Sequence, residues 1–182
     1  MRFEEKYKLT DQPESSEAAF AKFAKDSRWK ELVAGVYDSG IFTLCDTGFD
    51  NSSLASWDWL IGEKTILMGY LAWGDFIYIS IEQREIFLVI VQEGGKVSLG
   101  DNLESVFDYN LAAERFYSKM MLPDKFKRIQ AHLGALSYGQ CFIHSPWPML
   151  GNPERDENYR KGNFTEYVDL VGQTWPQLRS QN

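Results

Sequence analysis

The sequence lacks the short motifs that mark common enzyme sites. It has no GxSxG, GxGxxG, GxxxxGK[ST] or HExxH pattern, which are the usual signatures of serine hydrolases, dinucleotide-binding folds, P-loop NTPases and zinc proteases. One thiol and imidazole pair remains, Cys141 and His144. Side chains three apart on an extended strand point to opposite faces, so we expect this pair not to meet. We therefore predict no catalytic residues, no metal site and no cofactor.

Long apolar runs are also missing. No stretch approaches the ~20 apolar residues that span a bilayer, and the start, MRFEEKYK, is charged where a secretory signal would be apolar. The two cysteines, Cys45 and Cys141, have no paired spacing, which fits a reducing compartment. We expect a cytoplasmic protein with two free thiols and no membrane partner.

A third absence is local, because no Lys or Arg occurs between Lys30 and Lys64. We call residues 31–63 the acidic run. Its acids are Glu31, Asp38, Asp46, Asp50, Asp58 and Glu63. The whole chain has a formal net charge of −7. A negative field repels nucleic acid and attracts basic partners, although a scattered acidic face also serves solubility alone.

Two tryptophans lie within the acidic run, two residues apart on a predicted helix. Trp57 and Trp59 cannot both face the core at this spacing, so we predict that one is exposed and available as a protein-binding anchor. The predicted partner-binding residues are Asp38, Asp46, Asp50, Trp57, Asp58, Trp59 and Glu63.

The strongest positive pattern is a series of short apolar β-forming runs between residues 65 and 99. These runs cover residues 66–72, 76–81, 86–91 and 97–99, with turn signals at Gly74-Asp75, 82–85 and Gly94-Gly95. The pattern predicts an antiparallel meander whose last hairpin closes with a two-residue primed turn. The run 86–91 has no polar alternation, so we expect both its faces to be covered, at least one of them by helices.

Helical patterns flank this sheet. Before it we predict a helix starting at Pro13, a second from Ser27 to Gly40, an edge strand at 41–44, and a third helix over 54–61. After it we predict a helix capped by Asp101, a helix over 123–133, a strand over 138–144, and a last helix capped by Asn163 that stops at Pro176. The predicted class is α+β, with a central antiparallel sheet packed with helices and a mostly helical module at residues 122–182.

Two segments resemble known bacterial immunity proteins. The stretch HLGALSYGQCFIHSPWPMLGN, followed by NFTEYVDLVGQ, resembles the C-terminal module of immunity proteins that protect against type VI secretion DNase toxins. The matching residues are Leu133-Gly134, Tyr138, Phe142 and 148–151, while Gln140 and Asn152 differ from the usual acid and glycine. Upstream, a predicted helix ending near Gly40, residues 57–60 and the stretch 71–75 resemble the GAD-like domain that precedes this module.

The resemblance implies a GAD-like domain at residues 1–121 and an immunity-type module at 122–182. It also implies a non-enzymatic cytoplasmic protein that binds a basic nuclease toxin and blocks it, without contacting nucleic acid itself. Two other classes stay open, a small hydrolase using Cys141 and His144 and an adaptor for a partner other than a nuclease.

Overall fold

A seven-stranded antiparallel sheet organises the chain. The computed structural model describes residues 2–13, 27–62 and 64–180. The strands are β1 (Leu9–Asp11), β2 (Gly35–Tyr37), β3 (Phe42–Leu44), β4 (Thr65–Leu71), β5 (Phe76–Ser80), β6 (Glu85–Ile90) and β7 (Gly95–Gly100). Their order in the sheet is their order in the sequence. The predicted α+β class and the meander between residues 65 and 99 are confirmed.

Helices and a second, two-stranded sheet complete the described part of the chain. The helices are α1 (Phe3–Lys6), α2 (Ser27–Lys30), α3 (Asp58–Ile61), α4 (Glu114–Phe116), α5 (Pro123–Leu133) and α6 (Phe164–Arg179). The small sheet pairs β8 (Gln140–His144) with β9 (Tyr159–Asn163). A 3-10 helix over Ser52–Trp57 leads into α3, and π-helical segments at Ser105–Leu111 and Tyr117–Met121 flank α4.

Strand β6 is covered on both faces, as its unbroken apolar run predicts. Leu88 points into the hydrophobic cluster that contains Phe107 of the first π-helical segment. Its neighbour Val89 points into a second cluster with Val168 and Val171 of α6. Alternate side chains of one strand therefore enter two cores, one on each side of the sheet.

The predicted helix from Ser27 to Gly40 is wrong. Helix α2 ends at Lys30, and Gly35–Tyr37 forms β2, paired with both β1 and β3. A side chain at Gly35 would lie 2.6 Å from the carbonyl oxygen of Asp11, so a glycine is needed where the β1 backbone passes. Pairing with distant strands supplied hydrogen bonds that a local helical pattern cannot reveal. For the same reason β3 lies inside the sheet between β2 and β4, not at its edge.

Two smaller predictions also differ from the structure, and a third falls mostly on residues that the structure does not describe. The last hairpin has a four-residue turn, because Ile90 pairs with Gly95 and only Gly94 takes a positive φ, of 60°. The side chain of Asn102, not Asp101, accepts a hydrogen bond at the start of its helix, from the Ser105 N–H at 2.9 Å. The predicted helix starting at Pro13 falls largely on residues 14–26, outside the described residues.

Helix α6 begins as predicted but runs past Pro176. The Asn163 side chain accepts a hydrogen bond from the Glu166 N–H at 3.0 Å, which confirms the predicted cap. Pro176 has no N–H for the carbonyl of Gly172, four residues earlier. The indole N–H of Trp59 donates to that carbonyl instead, at 3.2 Å. An indole from outside the helix thus replaces the missing backbone donor.

Residues 71–75 are a junction between the sheet and the C-terminal part. The carbonyl of Ala72 accepts from the Phe142 N–H of β8 at 2.7 Å, and the indole N–H of Trp73 donates to the carbonyl of Met121 at 3.2 Å. Gly74 has a φ of 88°, and a side chain there would overlap the ring of Tyr167 in α6. A glycine at this turn therefore lets α6 approach the sheet.

The division at residue 121 stays a prediction, but the packing leads us to expect one unfolding transition. Phe142 lies in one hydrophobic cluster and Val168 in the other, and both clusters contain strands of the large sheet. Modules that share both cores should unfold together. Differential scanning calorimetry should give one peak whose van't Hoff and calorimetric enthalpies agree, and two resolved peaks would contradict this.

Candidate functional site

The predicted acidic residues occupy two separate places. Asp46 and Asp50 lie in the loop after β3, and Asp58 begins α3. Asp50 and Asp58 are exposed and Asp46 is half-buried. Asp38 lies at the opposite end of β3, where its carboxylate accepts a hydrogen bond from the Lys8 N–H at 3.0 Å. Glu63 lies outside the described residues. Of the four predicted acids that the structure describes, only Asp46 and Asp50 share one loop.

Local hydrogen bonds fix the loop that carries Asp46 and Asp50. Asp46 accepts from the Gly48 N–H at 2.9 Å, and Asp50 accepts from the N–H and the hydroxyl of Ser52 at 2.8 and 2.9 Å. The bonds from Ser52 lower the pKa of Asp50, so this exposed carboxyl is ionised at neutral pH. Both side chains therefore shape their own loop.

The same loop rests on the C-terminal part of the chain. The ring of Phe49 packs edge-on against Tyr138 and Phe164, with centroids 5.4 and 6.0 Å apart. The Tyr138 hydroxyl also accepts a hydrogen bond from the Asp46 N–H at 3.0 Å. Residues from the last quarter of the chain thus set the position of an acidic loop near its first quarter.

The two tryptophans stack on each other instead of pointing apart. Their ring centroids are 5.6 Å apart at an angle of 27°. Trp57 is fully buried and donates its indole N–H to the carbonyl of Val168 at 2.9 Å. Trp59 is half-buried, and the guanidinium of Arg179 lies 4.3 Å from its ring centroid. Trp57 thus belongs to the core, and Trp59 packs against the same cluster. The prediction that one of the two indoles is exposed is therefore wrong, and the half-buried Trp59 is the more accessible of the two.

Cys141 and His144 have separate surroundings. Cys141 is buried in the cluster beneath α6, and this burial raises the pKa of its thiol. His144 accepts the Arg155 N–H at its Nε2, 2.9 Å away, and its Nδ1 lies 2.7 Å from the carbonyl oxygen of Pro146. Both ring nitrogens are therefore engaged by the main chain, so this imidazole is not placed to activate the thiol.

A cavity of ≈ 270 Å³ lies at the junction between the large sheet and the C-terminal part. We call it the junction cavity. Its wall includes four aromatic rings, those of Trp73, Phe142, Tyr159 and Tyr167. The second π-helical segment contributes Lys119 and Met120 to its wall, and π-helical turns are frequent at functional sites. The cavity therefore joins elements from both predicted domains.

Asp75 is the buried carboxyl of this cavity, with 8% of its surface exposed. Its Oδ1 accepts a hydrogen bond from the Val91 N–H at 2.8 Å. Burial raises the pKa of Asp75 to about 6, and nearby Glu93 adds to the rise while the Val91 N–H and Lys125 oppose it. Asp75 is therefore mostly ionised at pH 7, in surroundings that disfavour its charge.

Lys125 extends from α5 into the same cavity. Its ammonium lies 4.3 Å from the centroid of Trp73 and 4.9 Å from that of Tyr159, and it forms an ion pair with Glu154. Glu154 also accepts a hydrogen bond from the Tyr159 hydroxyl. Although burial opposes it, these two donors lower the pKa of Glu154. The cavity wall thus already holds one ammonium group between aromatic rings and a carboxylate.

No sequence pattern predicts this cavity. Its wall draws on residues from Trp73 to Tyr167, and no two of its charged residues form a recognisable motif. Asp75 follows a glycine, and a Gly-Asp pair is an ordinary turn signal. One available clue was an acid placed directly between the apolar residues of two central strands.

Part of the chain matches a known protein family. Residues 101–174 match the family model of the type VI secretion immunity protein Tdi1, C-terminal. The Tdi1 match confirms the predicted resemblance for this part of the chain. It begins at residue 101, before the predicted boundary at 122, and the GAD-like resemblance upstream stays a prediction.

The fold has a solved counterpart. The crystal structure of Atu4351 from Agrobacterium tumefaciens matches with a TM-score of 0.63 and 18% sequence identity, covering 93% of this chain and 86% of that one. At this identity the likeness shows the fold alone. A comparison with curated proteins gives no match.

The described part of the chain offers neither a cluster of metal ligands nor a membrane-spanning helix. Within residues 2–13, 27–62 and 64–180, no group of three His, Cys, Asp or Glu side chains could hold a metal ion. In the same ranges no helix has the length and apolar character needed to cross a membrane.

Proposed function

We propose that this protein is a type VI secretion immunity protein that binds and neutralises a cognate DNase effector in the cytoplasm. The Tdi1 family match over residues 101–174 is the observation that carries the proposal. The negative formal charge of −7 supports it, because a DNA-cleaving domain needs basic residues around its cleft. The protein binds this basic domain and neither nucleic acid nor a membrane.

We further propose that the effector contacts the surface formed by Asp46, Asp50, Asp58 and Trp59. Two of these acids are exposed, and the loop that holds Asp46 and Asp50 packs against Tyr138, inside the Tdi1 match. Charges at the rim of an interface mainly accelerate encounter, whereas a packed indole slows dissociation.

Replacing Asp46, Asp50 and Asp58 together by Asn should slow association with the effector about tenfold or more at low salt, and less near physiological ionic strength. Surface plasmon resonance against a catalytically inactive effector domain, at two salt concentrations, measures this. A matched control replaces three acids outside the acidic run, Glu82, Asp101 and Glu104, by their amides. If both triple variants associate at the same rate, these acids are only a solvated face, and the Pro146 to Pro153 loop is the next surface to test.

Trp59→Ala should change the dissociation rate constant of the complex with the effector. Loss of an interface indole should raise the dissociation rate and cost about 2 kcal/mol or more of binding free energy. Because Trp59 also packs inside the chain, Trp59→Phe is the matched variant that keeps most of the packing. A dissociation rate unchanged by either substitution would remove Trp59 from the interface.

An adaptor and an immunity protein differ in their partner. The reading frame next to this gene should encode a secreted toxin under the present proposal. Co-expression of the two products should give a complex that copurifies and has no DNase activity. A complex that still cleaves DNA would contradict the proposal.

A further inference from the structure

The junction cavity has the chemistry of a site for an organic cation. Cations bind well where aromatic faces and a carboxylate converge away from water. Trp73 and Tyr159 supply the aromatic faces, and Asp75 supplies a carboxylate more than nine-tenths buried. The ammonium of Lys125, 4.3 Å from the Trp73 centroid, shows that one wall of the cavity already holds such a group.

The charges around the cavity leave Asp75 as the group that a ligand would meet. Glu154 forms an ion pair with Lys125, and Glu93 and Lys119, of opposite charge, also line the cavity. With Asp75 ionised, the cavity carries three acids against two bases. Oδ1 of Asp75 is bound to the Val91 N–H, which leaves Oδ2 for a cation.

The size of the cavity favours a small group. Pockets for drug-sized ligands measure roughly 300–1,000 Å³, and this one measures ≈ 270 Å³. A single long side chain or a small alkylammonium ion fits a cavity of this volume. Pro148 is part of the wall, and two residues on, Leu150 is 50% exposed, so an apolar contact is available close to the cavity.

We propose that the junction cavity receives a primary ammonium or guanidinium group, and that this group is a lysine or arginine side chain of the bound effector. The second half of the proposal rests on the proposed function. The side chain would lie against Tyr167 and pair with Asp75, beside the ammonium of Lys125. Free cations of the same chemistry are the other source of this group.

The first test uses the isolated protein and needs no effector. n-Butylammonium chloride is titrated into the labelled protein, with 1-butanol as the neutral probe of equal length, and the indole N–H signal of Trp73 is followed by NMR. The ammonium should shift this signal saturably at millimolar concentrations, and 1-butanol should not. Asp75→Asn should abolish the shift, while Glu104→Gln, at an exposed acid, should retain it. No saturable shift in the parent protein would overturn the site.

Lys125→Met provides a variant with the opposite expected result. It keeps the aliphatic stem and removes the resident ammonium, so n-butylammonium should bind several-fold more tightly. A purely structural role for Lys125 would predict weaker binding or none. Weaker binding to Lys125→Met would therefore overturn the assignment of the aromatic wall as a cation site.

The second test measures binding to the inactive effector domain. Asp75→Asn should weaken the complex about 30-fold or more, mainly through faster dissociation, because a buried charge pair is lost. If n-butylammonium binds but Asp75→Asn keeps full affinity for the effector, the occupant is a free cation and not an effector side chain. Since the parent protein still binds the effector in that case, the proposed function would stand while this inference fails.

Discussion

Trp57→Ala is expected to lower the free energy of unfolding by about 3 to 5 kcal/mol. Trp57 is fully buried, and its ring lies edge-on to Phe76 of the sheet at 5.6 Å. Its indole N–H also donates to α6 at Val168. The substitution would leave a cavity between the sheet and α6, where Gly172 lets the helix come within contact of the indole.

Urea unfolding of parent and variant, followed by circular dichroism and fluorescence, measures this change. Trp59→Ala is the control, because the half-buried Trp59 should cost clearly less than Trp57. Trp57→Phe should fall between the two, since it keeps an aromatic ring and loses the N–H. Equal losses for Trp57→Ala and Trp59→Ala would contradict the expectation that the buried indole contributes more to stability than the half-buried one.

Asp75→Asn is expected to raise the free energy of unfolding at pH 7 by about 2 to 3 kcal/mol. The pKa of Asp75 is raised to about 6 in the folded chain, against an unfolded value near 3.9. The folded state therefore holds the proton more tightly, so the stability contributed by Asp75 is complete below about pH 4 and is lost as pH rises through about 6. An amide has no charge to desolvate, and its oxygen can still accept the Val91 N–H.

The difference between the Asn variant and the parent is the quantity to measure. It should be small at pH 4, grow between pH 4 and 6, and remain constant at higher pH. Glu104→Gln, at an exposed acid, should show no such dependence. An Asn variant that is less stable than the parent at pH 7 would mean that the carboxylate stabilises the fold.

An acid that weakens the fold at neutral pH calls for a reason outside folding. Residues at binding sites are often kept at a cost in stability, and their replacement then stabilises the protein while removing function. The same Asp75→Asn variant should therefore be more stable and bind the effector less tightly. Opposite signs in the two measurements separate a binding role from a structural one.

Local pattern predicted the parts of the fold whose partners are close in sequence. The hairpins between residues 65 and 99 and the helix α5 from Pro123 have their turns and caps beside them. The prediction of a helix over residues 27–40 was wrong because Trp29, Leu32 and Val36 are buried in the structure, and burial at this spacing also fits a helix. Residues 35–37 form a strand because they pair with β1 and β3, and this pairing is not visible in the helical spacing of residues 27–40.

The candidate sites divide in the same way. Asp46, Asp50 and Asp58 could be predicted as a negatively charged surface, because an absence of Lys and Arg is visible in the sequence. That absence does not reveal that Asp38 lies at the other end of β3. Spacing alone also does not reveal that Pro176 leaves the carbonyl of Gly172 without a backbone donor. The indole N–H of Trp59 donates to this carbonyl, so Trp59 faces α6. The junction cavity depends wholly on tertiary packing.

The order of the sheet has a consequence for synthesis of the chain. Strands β1 to β7 pair with their sequence neighbours, so the sheet can form as each strand leaves the ribosome. Helix α6, which covers one face, comes last, and the bond from Trp57 to Val168 spans 111 residues. Until residue 164 and those beyond it emerge, Phe76 and Val89 lie on an uncovered apolar face. The nascent chain is therefore open to aggregation at a stage when most of its secondary structure can already be formed.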